Sequence, residues 1–150
     1  MLGQLMVGGG ASVCNIAIHA LMTVVTVRVA RAVSTTERAR TSMFLIGVMI
    51  STVSVLMATH ALEVFVWALV YLIVGLAPPG TGLVYFAFVN YTTLGYGDII
   101  PAERWQLLGP MTAMNGVLLF GWSTAVIFEV LRRTVDTVLP PRILPVGRNH

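Results

Sequence analysis

A seven-residue polar stretch, TTLGYGD at residues 92–98, has the pattern in this chain that is best suited to chemistry. Gly95 and Gly97 are spaced by two, and glycine adopts left-handed backbone torsions that other residues resist. A strand that alternates right-handed and left-handed torsions turns successive carbonyl oxygens toward one axis. With the Thr93 hydroxyl, these oxygens can replace the water shell of a dehydrated monovalent cation. The predicted ligands are the carbonyls of Thr93, Leu94, Gly95 and Tyr96.

Asp98 follows the last glycine and is expected at the external mouth of this stretch. Two roles remain open for its carboxylate, which either concentrates cations or braces the loop through a hydrogen bond. Salt screens exposed charges, so the first role gains little. A nucleotide-binding glycine loop is the competing interpretation of the motif, but it requires a third glycine and a preceding strand. The sequence has neither.

The elements that flank this stretch are long and apolar. Hydrophobic residues make up 57% of the 150-residue chain and charged residues 10%, which indicates an integral membrane protein. A helix needs about 20 residues to cross the hydrocarbon core. Three stretches are long enough, and they run from Gly3 to Ala32, from Ser42 to Leu76 and from Trp105 to Arg133.

The apolar run just before the motif is too short to cross a membrane. It predicts a re-entrant half-helix, so the motif itself is expected within the membrane. Unpaired backbone is tolerated at that depth only where it is buried in protein or lines a watery path. The motif is therefore expected either to be buried in protein or to line a watery path.

The arginines predict the orientation of the chain. All nine basic residues are arginines, and eight lie in or beside the first link or after the third span, with Arg104 alone on the other side. The positive-inside tendency then places the link and the carboxyl end in the cytoplasm and the amino terminus outside. The arginines form no stripe among aromatic residues, so membrane lipid is an expected partner and nucleic acid is not.

Two further features of the chain set limits on its class. Cys14 is the single cysteine, which excludes a disulfide within one chain. The amino terminus lacks the positive region of a secretory signal, so we expect it to be retained as part of a helix.

The motif Thr93-Leu94-Gly95-Tyr96-Gly97-Asp98, between a half-helix and a spanning helix, resembles the filter of potassium channels. The resemblance covers about residues 52 to 133. It implies an all-α membrane protein with three transmembrane helices, a re-entrant pore helix and a selectivity-filter loop, assembled as a tetrameric pore. It also implies a homotetramer, because one chain supplies one pore segment. K⁺ is then the permeant ion, held at Thr93, Leu94, Gly95 and Tyr96, with no cofactor and no enzymatic activity.

The same resemblance divides the chain into three parts. Residues 1–41 are a peripheral transmembrane helix with a cytoplasmic link, and residues 134–150 are a cytoplasmic tail. The pore module between them comprises an outer helix at 42–76, a pore helix at 83–92, a filter at 93–98 and an inner helix at 105–133. The extra first helix resembles those of small bacterial channel proteins, which implies a bacterial inner membrane.

The sequence departs from the channel pattern at three positions. Leu94 replaces the commoner valine, which leaves the carbonyl oxygen in place. Phe86 stands where many members have a tryptophan that braces the filter tyrosine, and Val89 replaces a glutamate that some members pair with the filter aspartate. These changes predict a less rigid filter. A potassium-selective channel is favoured, with a non-selective monovalent cation channel and a non-conducting membrane subunit or sensor as alternatives.

His60 and Glu63 interrupt the second span, and their spacing of three puts them on one helix face with Trp67 and Tyr71. His19 lies about 21 Å below Leu5, and Glu63 about 20 Å below Leu76, so their depths coincide. Two interpretations remain open. One is a pH sensor or an intramembrane cation site, and the other is a hydrogen-bonded clasp that holds the first helix to the pore module.

A polar face on the first span supports such a contact. It predicts a seam against the second helix rather than lipid, and its members are Ser12, Asn15, His19, Thr23 and Thr26. A metalloenzyme built on His60 and Glu63 is disfavoured, because the chain has no HExxH motif. Gly116 is a candidate gate hinge in the inner helix, and close helix packing is the other explanation for it. Asn115 and Ser123 either line a cavity or hydrogen-bond between helices.

Overall fold

The computed structural model describes residues 1–34, 42–77 and 80–138. These residues form four α-helices, namely α1 Leu2–Ser34, α2 Ser42–Val74, α3 Leu83–Tyr91 and α4 Leu108–Val138, with a 3-10 turn at Glu103–Trp105. No strand occurs in these ranges. Three helical segments are long and apolar enough to cross a membrane: Leu2–Ala32, Ser42–Val74 and Glu103–Asp136. The predicted all-α membrane fold with three spanning helices is confirmed.

Helix α2 ends two residues before the predicted boundary at Leu76, and its end has a clear cause. Gly75 has a positive φ of 60°. Its N–H donates to the Leu72 carbonyl at 3.2 Å, and the Leu76 N–H donates to the Tyr71 carbonyl at 3.0 Å. This pair of bonds is the Schellman motif, in which a left-handed residue stops the helix and satisfies its last carbonyls.

Helix α4 continues past the predicted end of the inner helix at Arg133. Residues 134–138, which were expected in the cytoplasmic tail, extend the helix to Val138. Thr134 is buried, and its hydroxyl donates to the Val130 carbonyl at 2.8 Å, so this turn packs against the rest of the chain. The remainder of the predicted tail, residues 139–150, and most of the predicted link, residues 35–41, lie outside the described residues.

The helices pack so that α1 lies against both α2 and α4, and the short α3 lies between α2 and α4. A larger core cluster surrounds α3 and contains Trp67, Tyr71, Phe86, Tyr91 and Leu108. A smaller cluster joins α1, α2 and α4 through Ala30, Leu56 and Val126. The short helix is thus held by spanning helices on two sides.

Two hydrogen bonds join the connections at the α3 end of the molecule. The Ala102 N–H donates to the Leu76 carbonyl at 3.1 Å, which ties the end of α2 to the segment before α4. The Leu107 N–H donates to the Gln4 side-chain oxygen at 2.9 Å, which ties that segment to the start of α1. The loops that frame the motif are therefore attached to both neighbouring spans.

The polar face of α1 is turned into the protein, as predicted. Asn15 and His19 are fully buried, and Thr26 is nearly so. The Asn15 amide donates to the Glu63 carbonyl on α2 at 3.2 Å and to the Asn115 side chain on α4 at 3.1 Å. The face therefore contacts α4 as well as the predicted α2.

Candidate functional site

The polar stretch 92–98 begins where α3 ends and has an alternating backbone. Thr93 has a φ of 62°, Gly95 of 60° and Gly97 of 76°, so positive φ recurs at every second residue. The predicted left-handed torsions at the two glycines are confirmed. Thr93 was not predicted, and it is the one non-glycine residue with a positive φ among the residues the structure describes. Alternation of this kind turns consecutive carbonyls in one direction.

Thr93 has this torsion because it also caps α3. Its N–H donates to the Asn90 carbonyl at 3.0 Å, and the Leu94 N–H donates to the Val89 carbonyl at 2.9 Å. These two bonds form a Schellman motif with Thr93 at the left-handed position. The first residue of the alternating segment is therefore the residue that stops the helix, and the partial negative charge of the helix end lies beside it.

The rest of the chain does not cover the alternating segment. Residues 92–98 are all exposed, including 55% of Leu94 and 66% of Tyr96. Apolar residues of this size are normally shielded from water. The rest of the chain thus leaves one side of this segment open.

The Asp98 end of the segment lies beside Tyr85 of α3. Interaction of the Tyr85 hydroxyl with the Asp98 carboxylate raises the pKa of Tyr85 above its usual value. The neighbouring Phe86 is buried, and its ring packs against that of Tyr71 with centroids 5.5 Å apart. Tyr85 is therefore a neighbour of the aspartate, whose partner in some channels is the glutamate that Val89 replaces.

The inner end of the segment is supported by α4 through Gly116. A Cβ atom at Gly116 would overlap the carbonyl oxygen of Tyr91, the last residue of α3. Seven residues earlier, about two turns of α4, Gly109 faces the Asn90 side chain, whose nearest atom lies 3.4 Å from a Cβ built there. In this structure Gly116 is a close-packing position, which is the alternative to a hinge that the sequence left open.

Hydrogen bonds between helices hold the end of α3 in place. The Tyr71 hydroxyl bonds to the Thr112 hydroxyl and accepts a bond from the Asn90 amide at 3.4 Å. The Trp67 ring N–H donates to the Asn115 side chain at 3.1 Å. Asn115 therefore joins helices here and does not project into an open cavity of the chain.

Side chains from all four helices meet beside Tyr91, and we call this cluster the four-helix junction. Its members are His19 from α1, His60 and Glu63 from α2, Tyr91 from α3 and Ser123 from α4. His19 Nδ1 lies 2.9 Å from Glu63 Oε1, and His60 Nδ1 lies 3.0 Å from Glu63 Oε2. The Tyr91 hydroxyl donates to Glu63 Oε2. The coincidence of depth that the sequence predicted for His19 and Glu63 is a direct contact.

Ser123 closes the junction on the far side of both imidazole rings. Its hydroxyl oxygen lies 2.8 Å from His60 Nε2 and 3.4 Å from His19 Nε2. One donor atom from each of His19, His60 and Glu63 lies within 4.8 Å of the others, so the three side chains could hold a metal ion. The same contacts also fit the clasp interpretation, because the junction joins α1 to α2, α3 and α4.

The junction also supplies a buried carboxylate behind α3. Val89 occupies the position where some potassium channels have a glutamate, and it is buried and apolar. Glu63 of α2 is fully buried and reaches α3 through the Tyr91 hydroxyl. A carboxylate thus contacts the short helix from a neighbouring helix instead of from within it.

The sequence profile of an ion channel family matches residues 58–133, about half of the chain. The chain belongs to this ion channel family. The match begins in α2 and ends in α4, so it contains the alternating segment, α3 and the two junction residues of α2, whereas α1 and His19 lie outside it. The resemblance to the potassium-channel pore superfamily is confirmed, and the family points to a membrane transport protein rather than an enzyme.

No curated protein and no solved structure matched this ion channel. Sequence reasoning missed three residues that the structure places at the site: Thr93 as a helix cap, Tyr85 beside Asp98, and Tyr91 in the junction. Tyr85 could have been suspected because it precedes Phe86, in the region where the family braces its filter. No local pattern marks Tyr91, because its partners lie far away in the chain.

Proposed function

We propose that this ion channel conducts K⁺ passively and selectively through a homotetrameric pore. The observation that carries the proposal is the alternation of positive φ at Thr93, Gly95 and Gly97. Such a backbone can direct the carbonyls of residues 93–96 toward one axis, where they replace the hydration shell of K⁺. The permeant ion is thus coordinated by peptide groups, and no cofactor is required.

The uncovered side of residues 92–98 supports a fourfold assembly. A ring of carbonyl oxygens around an ion needs several copies of the segment, and each chain has one. Oligomers of one chain are commonly closed and symmetric. Large apolar side chains of α4, such as Met114, Val117 and Leu118, are exposed in the single chain and are available to contact neighbouring subunits or lipid.

The proposed orientation follows the arginines. In a bacterial cell membrane, the positive-inside tendency favours an orientation with the amino terminus and Asp98 outside and the carboxyl end in the cytoplasm. The carboxyl end of α3 then points toward the membrane centre, where its dipole favours a cation. A K⁺ ion leaving the centre would therefore pass the filter from Thr93 toward Asp98.

Flux of K⁺ from liposomes that contain the purified protein tests the proposal. Gly97 has a φ of 76° and no atom near a Cβ built on it, so Gly97→Ala should abolish flux through backbone torsion alone. A d-alanine at the same position adopts positive φ without strain and should restore flux. Gly10→Ala, at an exposed and unobstructed site on α1, is the matched control and should conduct like the wild type. A flux that is equal in the l-alanine and d-alanine proteins would disprove a filter at this segment.

A non-selective cation pore is the nearest alternative, and one observation favours it. Phe86 packs inward on Tyr71 and has no donor with which to brace a filter tyrosine. The interaction between Tyr85 and Asp98 supports the selective pore instead. Reversal potentials in mixed K⁺ and Na⁺ separate the two, because only a selective pore reverses near the K⁺ equilibrium potential.

A further inference from the structure

The four-helix junction has a composition that conduction through a carbonyl-lined pore does not require. It brings two imidazoles, a carboxylate and a phenol together in the membrane interior. His19 and Glu63 are fully buried, and the His60 side chain is 13% exposed. Ionisable groups at such depth are costly unless they are paired or serve a function.

Three donor atoms at the junction are mutually in contact. His60 Nδ1 lies 3.0 Å from Glu63 Oε2 and 2.9 Å from the Tyr91 hydroxyl oxygen, and that hydroxyl is in turn bonded to Glu63 Oε2. In a tetrahedral zinc site with bonds of about 2.0–2.1 Å, neighbouring donor atoms lie about 3.3 Å apart. The two sides that meet at His60 Nδ1 therefore need to widen by only a few tenths of an ångström to become edges of such a site, and the side between Tyr91 and Glu63 needs to open further.

His19 provides a fourth ligand atom beside this triangle. Its Nδ1 atom lies 2.9 Å from Glu63 Oε1, and a donor atom of His19 lies within 4.8 Å of donor atoms of both His60 and Glu63. The opposite nitrogens of both rings face the Ser123 hydroxyl, at 2.8 Å and 3.4 Å. Histidines that bind metals usually have their second nitrogen held by such an outer partner, which orients the ring.

We propose that the four-helix junction binds one divalent transition-metal ion of the zinc class per chain, through His19, His60 and Glu63, with the Tyr91 oxygen as fourth ligand. Imidazole and carboxylate together suit Zn²⁺ and its neighbours, whereas Mg²⁺ and Ca²⁺ favour all-oxygen sites. A carboxylate and a phenolate balance the two positive charges of the ion. The occupied site then has no net charge, as a low-dielectric membrane interior favours.

The bound ion would link α1 to the end of the short helix α3. His19 belongs to α1, outside the range that the ion channel family matches, and Tyr91 is two residues before the start of the alternating backbone at Thr93. Through the bound ion, α1 would help to support the segment that begins at Thr93. This inference concerns metal binding and stands or falls independently of the proposed K⁺ selectivity.

Metal binding by the purified, untagged full chain in detergent tests the site. When the chelator-treated protein is loaded with Zn²⁺ and dialysed, it should retain about one Zn²⁺ per chain, and loading with Co²⁺ instead should give the intense visible absorption of a four-coordinate site. His19→Ala and Glu63→Gln should each weaken binding at least about tenfold. His150→Ala removes the third histidine of the chain, which is not among the proposed ligands, and should bind Zn²⁺ like the wild type.

Thermal unfolding keeps the proposal testable if a ligand variant fails to fold. Zn²⁺ should raise the unfolding temperature of the wild type and of His150→Ala, because an ion that binds the native state stabilises it. Binding should also weaken from about pH 8 to about pH 6, since ligands must release protons. The site would be overturned if the wild type retained no Zn²⁺ and showed no thermal shift. It would also be overturned if His19→Ala and Glu63→Gln bound Zn²⁺ as tightly as the wild type. The junction would then be only a hydrogen-bonded clasp between the helices.

Discussion

The carboxyl ends of α2 and α3 are closed by the same hydrogen-bond motif but with different residues at its left-handed position. At the end of α2 that residue is Gly75, with a φ of 60°. At the end of α3 it is Thr93, with a φ of 62° and the same two backbone bonds. Glycine adopts this torsion freely, whereas a β-branched residue there is a steric outlier.

The difference separates an end that only terminates a helix from one at which we propose an ion ligand. A left-handed torsion costs a residue with a side chain about 1–2 kcal/mol relative to glycine. Such strain persists at functional sites where the side chain is needed. The Thr93 hydroxyl is a proposed ion ligand, whereas the end of α2 requires no side chain at Gly75. Substitutions at and around the two ends can test this contrast.

The largest effect is expected from Gly116→Ala, because only the end of α3 is clamped by a neighbouring helix at this position. The new methyl group would overlap the Tyr91 carbonyl, and overpacking of this kind costs up to about 3 kcal/mol. The unfolding temperature and the yield of assembled protein should both fall sharply. Gly47→Ala, which meets no atom within 4 Å, is the control. An unchanged unfolding temperature in Gly116→Ala would show that the end of α3 is not held by α4.

Gly75→Thr should come next, since it places at the end of α2 the residue that α3 tolerates. We expect a loss of about 1–2 kcal/mol in the free energy of unfolding, because the left-handed torsion becomes strained. The ratio of K⁺ to Na⁺ permeability in the surviving protein should stay at the wild-type value. Chemical denaturation and reversal potentials measure the two quantities. A changed permeability ratio would remove the contrast between the two ends.

Thr93→Gly is the reciprocal change and should separate stability from function. The torsion is then adopted without strain, so the free energy of unfolding should stay constant or rise by up to about 1 kcal/mol. The permeability ratio of K⁺ to Na⁺ should fall, because a proposed ligand is lost. Thr93→Ser retains the hydroxyl and should keep the ratio close to the wild-type value. Loss of stability without loss of selectivity would assign Thr93 a structural role only.

The smallest effect is expected where the Tyr85 hydroxyl lies beside Asp98. The interaction with this carboxylate favours the protonated phenol, so it raises the pKa of Tyr85. The stabilisation is therefore fully present below the usual tyrosine pKa of about 10 and is lost as pH rises through the raised value. Wild-type K⁺ current should become less sustained only above about pH 10. Tyr85→Phe should show the less sustained current at neutral pH and little further change, and a wild-type response to pH in Tyr85→Phe would contradict this assignment.

Much of the fold could be predicted from the sequence because membrane crossing depends on local composition and length. The three spans and the short helix α3 were found within a few residues of their ends. The errors are local ones. Gly75 stops α2 before Leu76 because it forms a Schellman motif, and α4 runs past Arg133 because Thr134 is buried and continues the helix.

For the candidate site, features that depend on residue type and spacing could be predicted from the sequence, whereas most of its contacts could not. The left-handed torsions of Gly95 and Gly97 follow from residue type, and the shared depth of His19 and Glu63 follows from helix geometry. The torsion of Thr93 does not follow from its type, because threonine avoids positive φ. The position of Tyr85 beside Asp98 depends on how the segment turns back past α3, which residue types alone do not specify.

The sequence by itself determined that this chain has three helices able to span a membrane, with a glycine-alternating segment between the second and the third, because hydropathy and backbone freedom are properties of individual residues. Only the tertiary structure decided which polar groups meet. Asn115 lies 100 residues from Asn15, and Ser123 lies 104 residues from His19, yet each pair is in contact. Contacts between residues so far apart depend on how the helices pack, which is a property of the whole fold. The same packing decided that the Tyr91 carbonyl lies directly against Gly116, where no side chain would fit.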